Sequence, residues 1–394
     1  MHIGITGPAN PNVLIRYLHP GVEVDLPGKG GTPVNILTSA FLDLGHRVTL
    51  ATLDPALPLG ETLTLEGPNL TIEIGAYRAR HRARDVFAVE REFITGALAR
   101  HQPEAISAHW SYEFALGALD TNIPTFVTVR DVPKQIFWHQ PTPYRLVRWW
   151  MHRQALARAD RLAFNSPYTQ QMLGSPRGKE AIVLPNAIPD QQWILRDREP
   201  PNPRKARLVS VNNGFGKRKN IHRLIEAFAE IRNHCSEARL ALIGSGFESG
   251  GPAFDWANGH GWAEGIDFIG PLSYPATLQC ISEADLLVHP ALEESFGYTL
   301  IEAASVGAPV IAGRDSGAVP WVLGNGKFGV LVNVKSSAAI AEAALTLISD
   351  PHRWSELRIN AFEGCRERFS SSAVAMQYIE ILGDMKNARL ARTG

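Results

Sequence analysis

Two glutamates, Glu294 and Glu302, lie eight residues apart in the segment Glu293–Pro309, EESFGYTLIEAASVGAP. Between them Gly297 precedes Tyr298, Thr299 and Leu300, where a helix opens directly after the apolar run Leu286–His289. A glycine there lets the backbone approach a ligand closely, and the amides around Ser295–Leu300 then stand at a helix N-terminus, a natural seat for phosphate. Glu294 lies before that turn and Glu302 beyond it. Two carboxylates flanking a phosphate-binding turn can accept hydrogen bonds from sugar hydroxyls on either side of a diphosphate.

A second segment, VNNGFGKRKNIHRLIEAF, places Gly214 in a loop and Lys217, Arg218 and Lys219 just before a helix. Such a loop suits an anion, and its cations suit a departing diphosphate. A third, Gly244-Ser245-Gly246, follows the apolar run Leu240–Ile243, but G-x-G without the full glycine spacing is weak evidence for a dinucleotide. No D-x-D occurs in the chain. A carboxylate pair holding a metal against the diphosphate is therefore not expected, and amides with basic side chains are expected to neutralise the leaving group. His109, at a strand end, reads as structural or lining rather than as a base.

These groups need elements to position them. Short apolar runs at Ile3–Thr6, Val48–Thr52, Ala105–Ala108, Thr125–Val129, Arg161–Phe164 and Ile182–Leu184 read as strands, separated by amphipathic stretches such as Thr32–Leu44. The pattern restarts with Leu208–Val211, Leu240–Ile243, Asp267–Ile269, Leu286–His289, Val310–Ala312 and Gly329–Val332. Alternation of this kind means parallel sheets covered by helices on both faces. The expected division is 1–188, a proline-bearing linker at 189–206, a second doubly wound domain at 207–370, and a last helix at 371–394 that crosses back to the first domain. Two facing sheets would leave a cleft suited to two substrates.

The chain has 394 residues, 45% hydrophobic and 20% charged, with Lys+Arg and Asp+Glu equal at 39 each. That balance argues against a nucleic-acid binder relying on whole-domain charge. Three scattered cysteines offer neither a disulfide framework nor zinc-finger spacing. The first residues lack the charged and apolar pattern of a secretory signal, and no uncharged apolar run reaches the ~18 residues of a membrane span.

The Glu293–Pro309 segment, with FIGPLSYPATLQCISEADLLVHPALEESFGYTLIEAASVGAPVIA around it, resembles the E-x7-E region of the retaining glycosyltransferases of family four, the group 1 type with the GT-B fold. GKGGTPVNILTSAFLDLGHRVTLAT, EAISAHW, TVRDVP and VLPNAIP resemble that family's first half more loosely. The resemblance implies an α/β, two-domain GT-B enzyme, with the donor on the second domain and the acceptor on the first. The donor would be a nucleotide-diphosphate sugar; the acceptor a glycan, a lipid-linked sugar or a small molecule. By the same resemblance Glu294 would contact the donor sugar, Glu302 the ribose, the amides at Gly297–Leu300 the phosphates, and Lys219 the leaving diphosphate. Gly244 and Gly246 would border the nucleotide, and Gly30 and Gly31 would approach the phosphates from the first domain. Two departures stand out: the family's diphosphate Arg falls on Gly214, leaving Lys217 or Arg218 as substitutes, and its usual histidine is Arg130, followed by Asp131. They keep a non-catalytic sugar-nucleotide-binding protein in view as a rival, beside a GT-B epimerase or phosphorylase.

Family members often act at the inner leaflet, so Tyr144–Arg161 matters. At about 100° per residue, Leu146, Val147, Trp150 and Ala157 share one side and suit the core, while Arg145, Arg148 and His152 share another with Trp149 and Leu156 beside them. Basic residues next to tryptophan suit anionic headgroups, and the stretch Tyr77–Arg84 could add charge. The expected location is cytoplasmic, with peripheral contact at the inner face of the membrane as an option.

Overall fold

The computed structural model describes residues 1–28, 30–139, 141–174 and 181–393. The chain forms two units: Met1–Pro189 together with the chain from Ser371 onward, and Asp190–Ser370.

The first unit is built on eight strands: β1 (His2–Thr6), β2 (Arg47–Asp54), β3 (Thr62–Glu66), β4 (Leu70–Ala76), β5 (Ala105–His109), β6 (Thr125–Val129), β7 (Arg161–Phe164) and β8 (Ala181–Val183). Their order is β3-β4-β2-β1-β5-β6-β7-β8. The central strands β5 and β6 are buried along their whole length because helices cover both faces. Alternation divides them between two cores: Val48, Leu50, Ala105 and Phe126 face one side, Ala51, Leu53, Ile106 and Val127 the other. The helix Ser371–Thr393 covers the first face with Val374, Ala375, Tyr378 and Leu382, and the Tyr378 hydroxyl meets Thr128 Oγ1 at 3.1 Å.

The wholly parallel sheet expected from the sequence needs one correction. Strands β3 and β4, which the apolar runs did not reveal, form a hairpin, and β3 is antiparallel at the sheet edge. Its half-exposed alternation, Thr62 to Glu66, is what one solvated face requires.

The second unit holds β9 (Arg207–Val211), β10 (Arg239–Ile243), β11 (Ile266–Gly270), β12 (Leu286–His289), β13 (Val310–Gly313) and β14 (Val330–Val332), ordered β11-β10-β9-β12-β13-β14 and all parallel. Helix Ile221–His234 buries Ile221, Leu224, Ile225, Phe228 and Ile231 as one stripe against this sheet. The chain winds outward from β9 in both directions, so its switch point lies between β9 and β12, where ligands bind in sheets of this kind.

Residues 193–206 are not helical, as their prolines require, yet they are strapped to the second unit. Trp193 is buried against Phe362, Arg198 pairs with Asp285 at 2.8 Å, and the Ile194 amide donates to Ser305 O.

Candidate functional site

The loops leaving β9 and β12 meet at the switch point of the second unit. Asn220, in the left-handed region at φ 58°, ties them: its amide nitrogen donates to Pro290 O at 2.9 Å and Val334 O at 2.7 Å. That lock fixes Lys219, whose ammonium reaches Glu294 Oε1 at 2.5 Å, both side chains being largely buried. Glu294 is latched through its own backbone, accepting from the Ala318 amide at 2.9 Å. His289, the last residue of β12, brings Nε2 to 3.4 Å from the same carboxylate oxygen. The imidazole is buried, and its Nδ1 has no hydrogen-bond partner among the described residues. Burial works against ionisation of Glu294, but His289 and Lys219 outweigh it and hold its carboxyl down at about 2. The sequence reading found Lys219 and Glu294 separately and missed His289; a histidine ending the strand that leads into the glutamate turn was the available signal.

Glu302 lies one helix along, in Tyr298–Ser305, and burial pushes its carboxyl up to about 7 even though a hydrogen bond with Tyr274 pulls the other way. The Tyr274 hydroxyl also lies 2.8 Å from Gln192 Oε1, so that Glu302 and Gln192 share its single proton, and Gln192 Nε2 donates to Ser305 Oγ at 3.1 Å. The two glutamates at this site are thus tuned in opposite directions by their surroundings.

Gly297 caps that helix at φ 90°, a conformation that favours glycine, and no side chain caps it. Tyr298 and Thr299 form its first turn. Leu300 requires a correction: its amide donates to Gly297 O at 3.1 Å and is not free for a phosphate. The tight first turn closes this bond. Arg218 is exposed and donates to Glu293 O at 3.2 Å, and Lys217 is exposed beside it. The amide of Gly214 donates to Ser245 O at 2.9 Å, which joins this loop to the one after β10. In that second loop the Gly244 amide is taken by Gly270 O and the Gly246 amide by the Glu248 carboxylate at 2.9 Å. Gly244 is needed for packing: at φ 127°, a Cβ there would stand 1.7 Å from Asn212 O.

The remaining called residues lie in the first unit. Gly30 and Gly31 both have positive φ, and a Cβ on Gly31 would fall 1.9 Å from Pro8 O, so it seats the N-terminus of helix Thr32–Asp43 against the loop after β1. Arg130 lies beside His109, its Nη2 donating to Nδ1 at 3.0 Å, while Nε and Nη1 have no hydrogen-bond partner among the described residues. Burial and then the Arg130 charge push the His109 imidazole well below its ordinary value. It is a neutral, structural group whose Nε2 meets Ser107 Oγ at 3.1 Å.

The basic face expected on Tyr144–Arg161 is overturned. In helix Pro143–Arg158 the buried residues are Met151, His152, Ala155 and Leu156, the Arg148 side chain is only 12% exposed, and Leu146 and Trp150 are 50% and 48% exposed. Arg148 is buried because Glu113 Oε2 receives it at 3.1 Å and the Tyr112 ring lies 3.6 Å beneath it. His152 meets Ser111 Oγ at 2.7 Å, and burial lowers it to about 4, so it is neutral. In the stretch Tyr77–Arg84, Tyr77 is buried and Arg78 is paired with Asp85 and Glu90, while Arg80 and Arg84 stay exposed. Among the described residues no cluster of His, Cys, Asp or Glu could hold a metal, and no helix is long and apolar enough to cross a membrane.

Two Rossmann-like units, the second carrying a Lys–Glu pair and a glycine-capped helix at its switch point, define a GT-B protein. Residues 191–364 match the model for glycosyl transferases group 1, and residues 33–192 match that for Glycosyltransferase Family 4. The chain belongs to the group 1 glycosyltransferases of GT-B fold. Phosphatidyl-myo-inositol mannosyltransferase of Mycobacterium leprae (strain TN) is 25% identical over 91% of this chain and 93% of its own. Probable sucrose-phosphate synthase 5 of Oryza sativa subsp. japonica is 33% identical over 40% of this chain, which spans 17% of that protein. The fold is shared with sucrose-phosphate synthase from Thermosynechococcus elongatus (TM-score 0.74, 20% identity, 98% and 99% coverage). It is also shared with Anabaena HepE in complex with UDP-glucose (TM-score 0.67, 17% identity, 98% and 100% coverage).

Proposed function

We propose that the protein is a retaining, metal-independent glycosyltransferase that moves a sugar from a nucleoside-diphosphate donor held by the second unit to an acceptor held by the first. The observation that carries this reading is the buried Lys219–Glu294 pair beside the Gly297-capped helix. An ammonium has three donors, so Lys219 can hold Glu294 and still offer two to a diphosphate oxygen. Glu294, ionised at any physiological pH, accepts from donor-sugar hydroxyls; Glu302 accepts from the ribose. As the C1–O bond to the diphosphate breaks, Lys219, the helix amides at Tyr298 and Thr299, and Lys217 or Arg218 take up the developing charge. The acceptor oxygen attacks from the same face and its proton passes to the leaving phosphate oxygen.

The test is a thermal-shift series with UDP, GDP, UDP-glucose and other sugar nucleotides, followed by a transfer assay with excess EDTA. At a ligand concentration near 100 Kd the stabilisation is about 2.7 kcal/mol, about 5–10 °C for a unit of this size. Transfer is expected to persist in EDTA. Loss of activity restored by magnesium or manganese would overturn the metal-free chemistry, and donor binding without transfer or hydrolysis would favour the non-catalytic rival.

A membrane-surface acceptor is a second reading, now resting on the opposite side of helix Pro143–Arg158. Leu146 and Trp150 are 50% and 48% exposed there, and Trp138, in the preceding helix Pro133–His139, is 68% exposed. Apolar anchors at an interface favour membrane binding. Trp138→Ser with Trp150→Ser is expected to reduce sedimentation with anionic vesicles severalfold. Wild-type protein that stays in the supernatant at low salt would remove this reading.

A further inference from the structure

His289 is a buried neighbour of Glu294 with no task in the proposed reaction. It ends β12, where its backbone is in register with Ala312 of β13. Leu286 and Val288 turn into the core shared with helix Ile221–His234, so alternation turns His289 to the other face of the sheet. Its side chain is 3% exposed, and its Nε2 lies 3.4 Å from Glu294 Oε1. The Lys219 ammonium comes to the same oxygen at 2.5 Å. Both contacts are made to Oε1 and neither to Oε2.

The segment joining the histidine to the glutamate is held along its length. Pro290 O accepts from Asn220 Nδ2 at 2.9 Å, Ala291 O accepts from Ser316 Oγ at 2.7 Å, and the Leu292 amide donates to Arg218 O at 2.9 Å. Imidazole and carboxylate are thus brought together by a braced backbone, the condition for holding a group in a working geometry. The imidazole can carry its proton on either nitrogen. Nδ1 is buried and has no hydrogen-bond partner among the described residues. A proton there would leave a buried donor unmatched, whereas a proton on Nε2 faces a carboxylate and leaves Nδ1 as a bare acceptor. The surroundings therefore select the Nε2–H tautomer. A lysine ammonium, with three rotatable donors on a flexible stem, can meet an oxygen from many directions. A planar ring at a strand end offers one. Lysine and histidine together fix the place of Oε1, and the rigid carboxylate then fixes Oε2.

We infer that His289 is a positioning residue: its Nε2–H and the Lys219 ammonium pin Glu294 Oε1, and so present Oε2 to a hydroxyl of the transferred sugar. This rests on the proposed glycosyltransferase function, in which Glu294 touches the donor sugar and His289 touches only Glu294.

The experiment compares His289→Gln, His289→Asn and His289→Leu in the full chain by donor-turnover kinetics, calorimetric titration with UDP and nitrogen NMR of the labelled imidazoles. A glutamine amide reaches about as far as Nε2 and an asparagine amide about as far as Nδ1, so only glutamine keeps a donor at Oε1. His289→Leu should lower kcat by about tenfold, the effect of a carboxylate released from its place. UDP affinity and the donor KM should stay within about twofold of wild type, because the nucleotide does not meet His289. Glutamine should recover kcat to within about threefold of wild type, and asparagine should behave as leucine does. In a Glu294→Gln background, His289→Leu should cost nothing further. The resonances lost in His289→Gln identify His289 in the wild-type spectrum; they should report the Nε2–H tautomer and should move in Glu294→Gln. Wild-type kcat in folded His289→Leu, loss of UDP binding in step with kcat, glutamine no better than asparagine, or an Nδ1–H tautomer would each overturn the inference. Glutamine against asparagine decides the matter even where the leucine variant fails to fold. A wild-type chain that binds no nucleotide and turns over no donor would strike the glycosyltransferase reading, and with it the sugar contact, while the tautomer would still judge the pairing of His289 with Glu294.

Discussion

Replacing Lys219 by alanine is expected to lower turnover by about 10²–10³-fold, the usual cost of removing one preorganised donor from developing negative charge. The same change should destabilise the protein, because it leaves the buried Glu294 carboxylate without its closest cation. Glu294 is held at about 2 in the folded chain, below the ~4.3 of a free glutamate. A depressed carboxyl contributes stability that is present above the unfolded value and is lost as pH falls through the folded one. Lys219→Ala should therefore melt earlier than wild type at pH 7, by about 1–3 kcal/mol, and the gap should close between about pH 4 and pH 2 as Glu294 takes up a proton. Lys219→Ala combined with Glu294→Gln should cost less stability than the sum of the two, since each removes the same pair. Stopped-time product assays and denaturant melts at pH 7 and pH 3 measure both. Folded Lys219→Ala with wild-type turnover would take Lys219 out of the leaving-group chemistry.

The parts of this site that were legible in the sequence are those fixed by local patterns. The strand Leu286–His289, the glycine turn at Gly297 and the helix carrying Glu302 follow one another within a short span, so the order of residues alone places them. Lys219 was legible for the same reason, lying at the entry to an amphipathic helix with Ile221, Leu224, Ile225 and Phe228 on one stripe. What the sequence hid depends on long-range partners. Helix Pro143–Arg158 was turned the wrong way because hydropathy assigns arginine and histidine to water. Glu113, Tyr112 and Ser111, remote in sequence, supply what makes Arg148 and His152 tolerable inside. The hairpin of β3 and β4 was hidden by its edge position, where polar alternation weakens the apolar signal. Leu300 shows a finer limit: the helix start was visible, but which of its amides closes on the first turn was not.

Affinity for a nucleotide sugar is expected to rise about tenfold between pH 6 and pH 8, through the titration of Glu302. Its carboxyl, raised to about 7 by burial, is largely protonated at the lower pH and largely ionised at the higher one. The ionised form offers one charged oxygen to each hydroxyl of a ribose and accepts from both more strongly than the protonated form does. A nucleotide sugar is the right probe, since its diphosphate is esterified at both ends. Glu302→Gln should weaken binding by about 1–3 kcal/mol and flatten the pH dependence. The stability of the ligand-free protein should move the other way. A carboxyl with a raised folded value binds its proton more tightly when folded, so its contribution is favourable below the unfolded value and is lost as pH rises through about 7. At pH 8 the wild type carries a buried charge that glutamine does not, and the variant should be more stable by about 1–3 kcal/mol. At pH 5 the two should melt alike. Tyr274→Phe removes a hydrogen bond that favours the ionised form, so it should shift the midpoint of the affinity profile upward. Calorimetric titrations from pH 5.5 to 8.5 and melts at the two pH values test the whole scheme. A flat affinity profile in wild type, with glutamine giving no gain in stability at pH 8, would mean that Glu302 is solvated and has no part in holding the nucleotide.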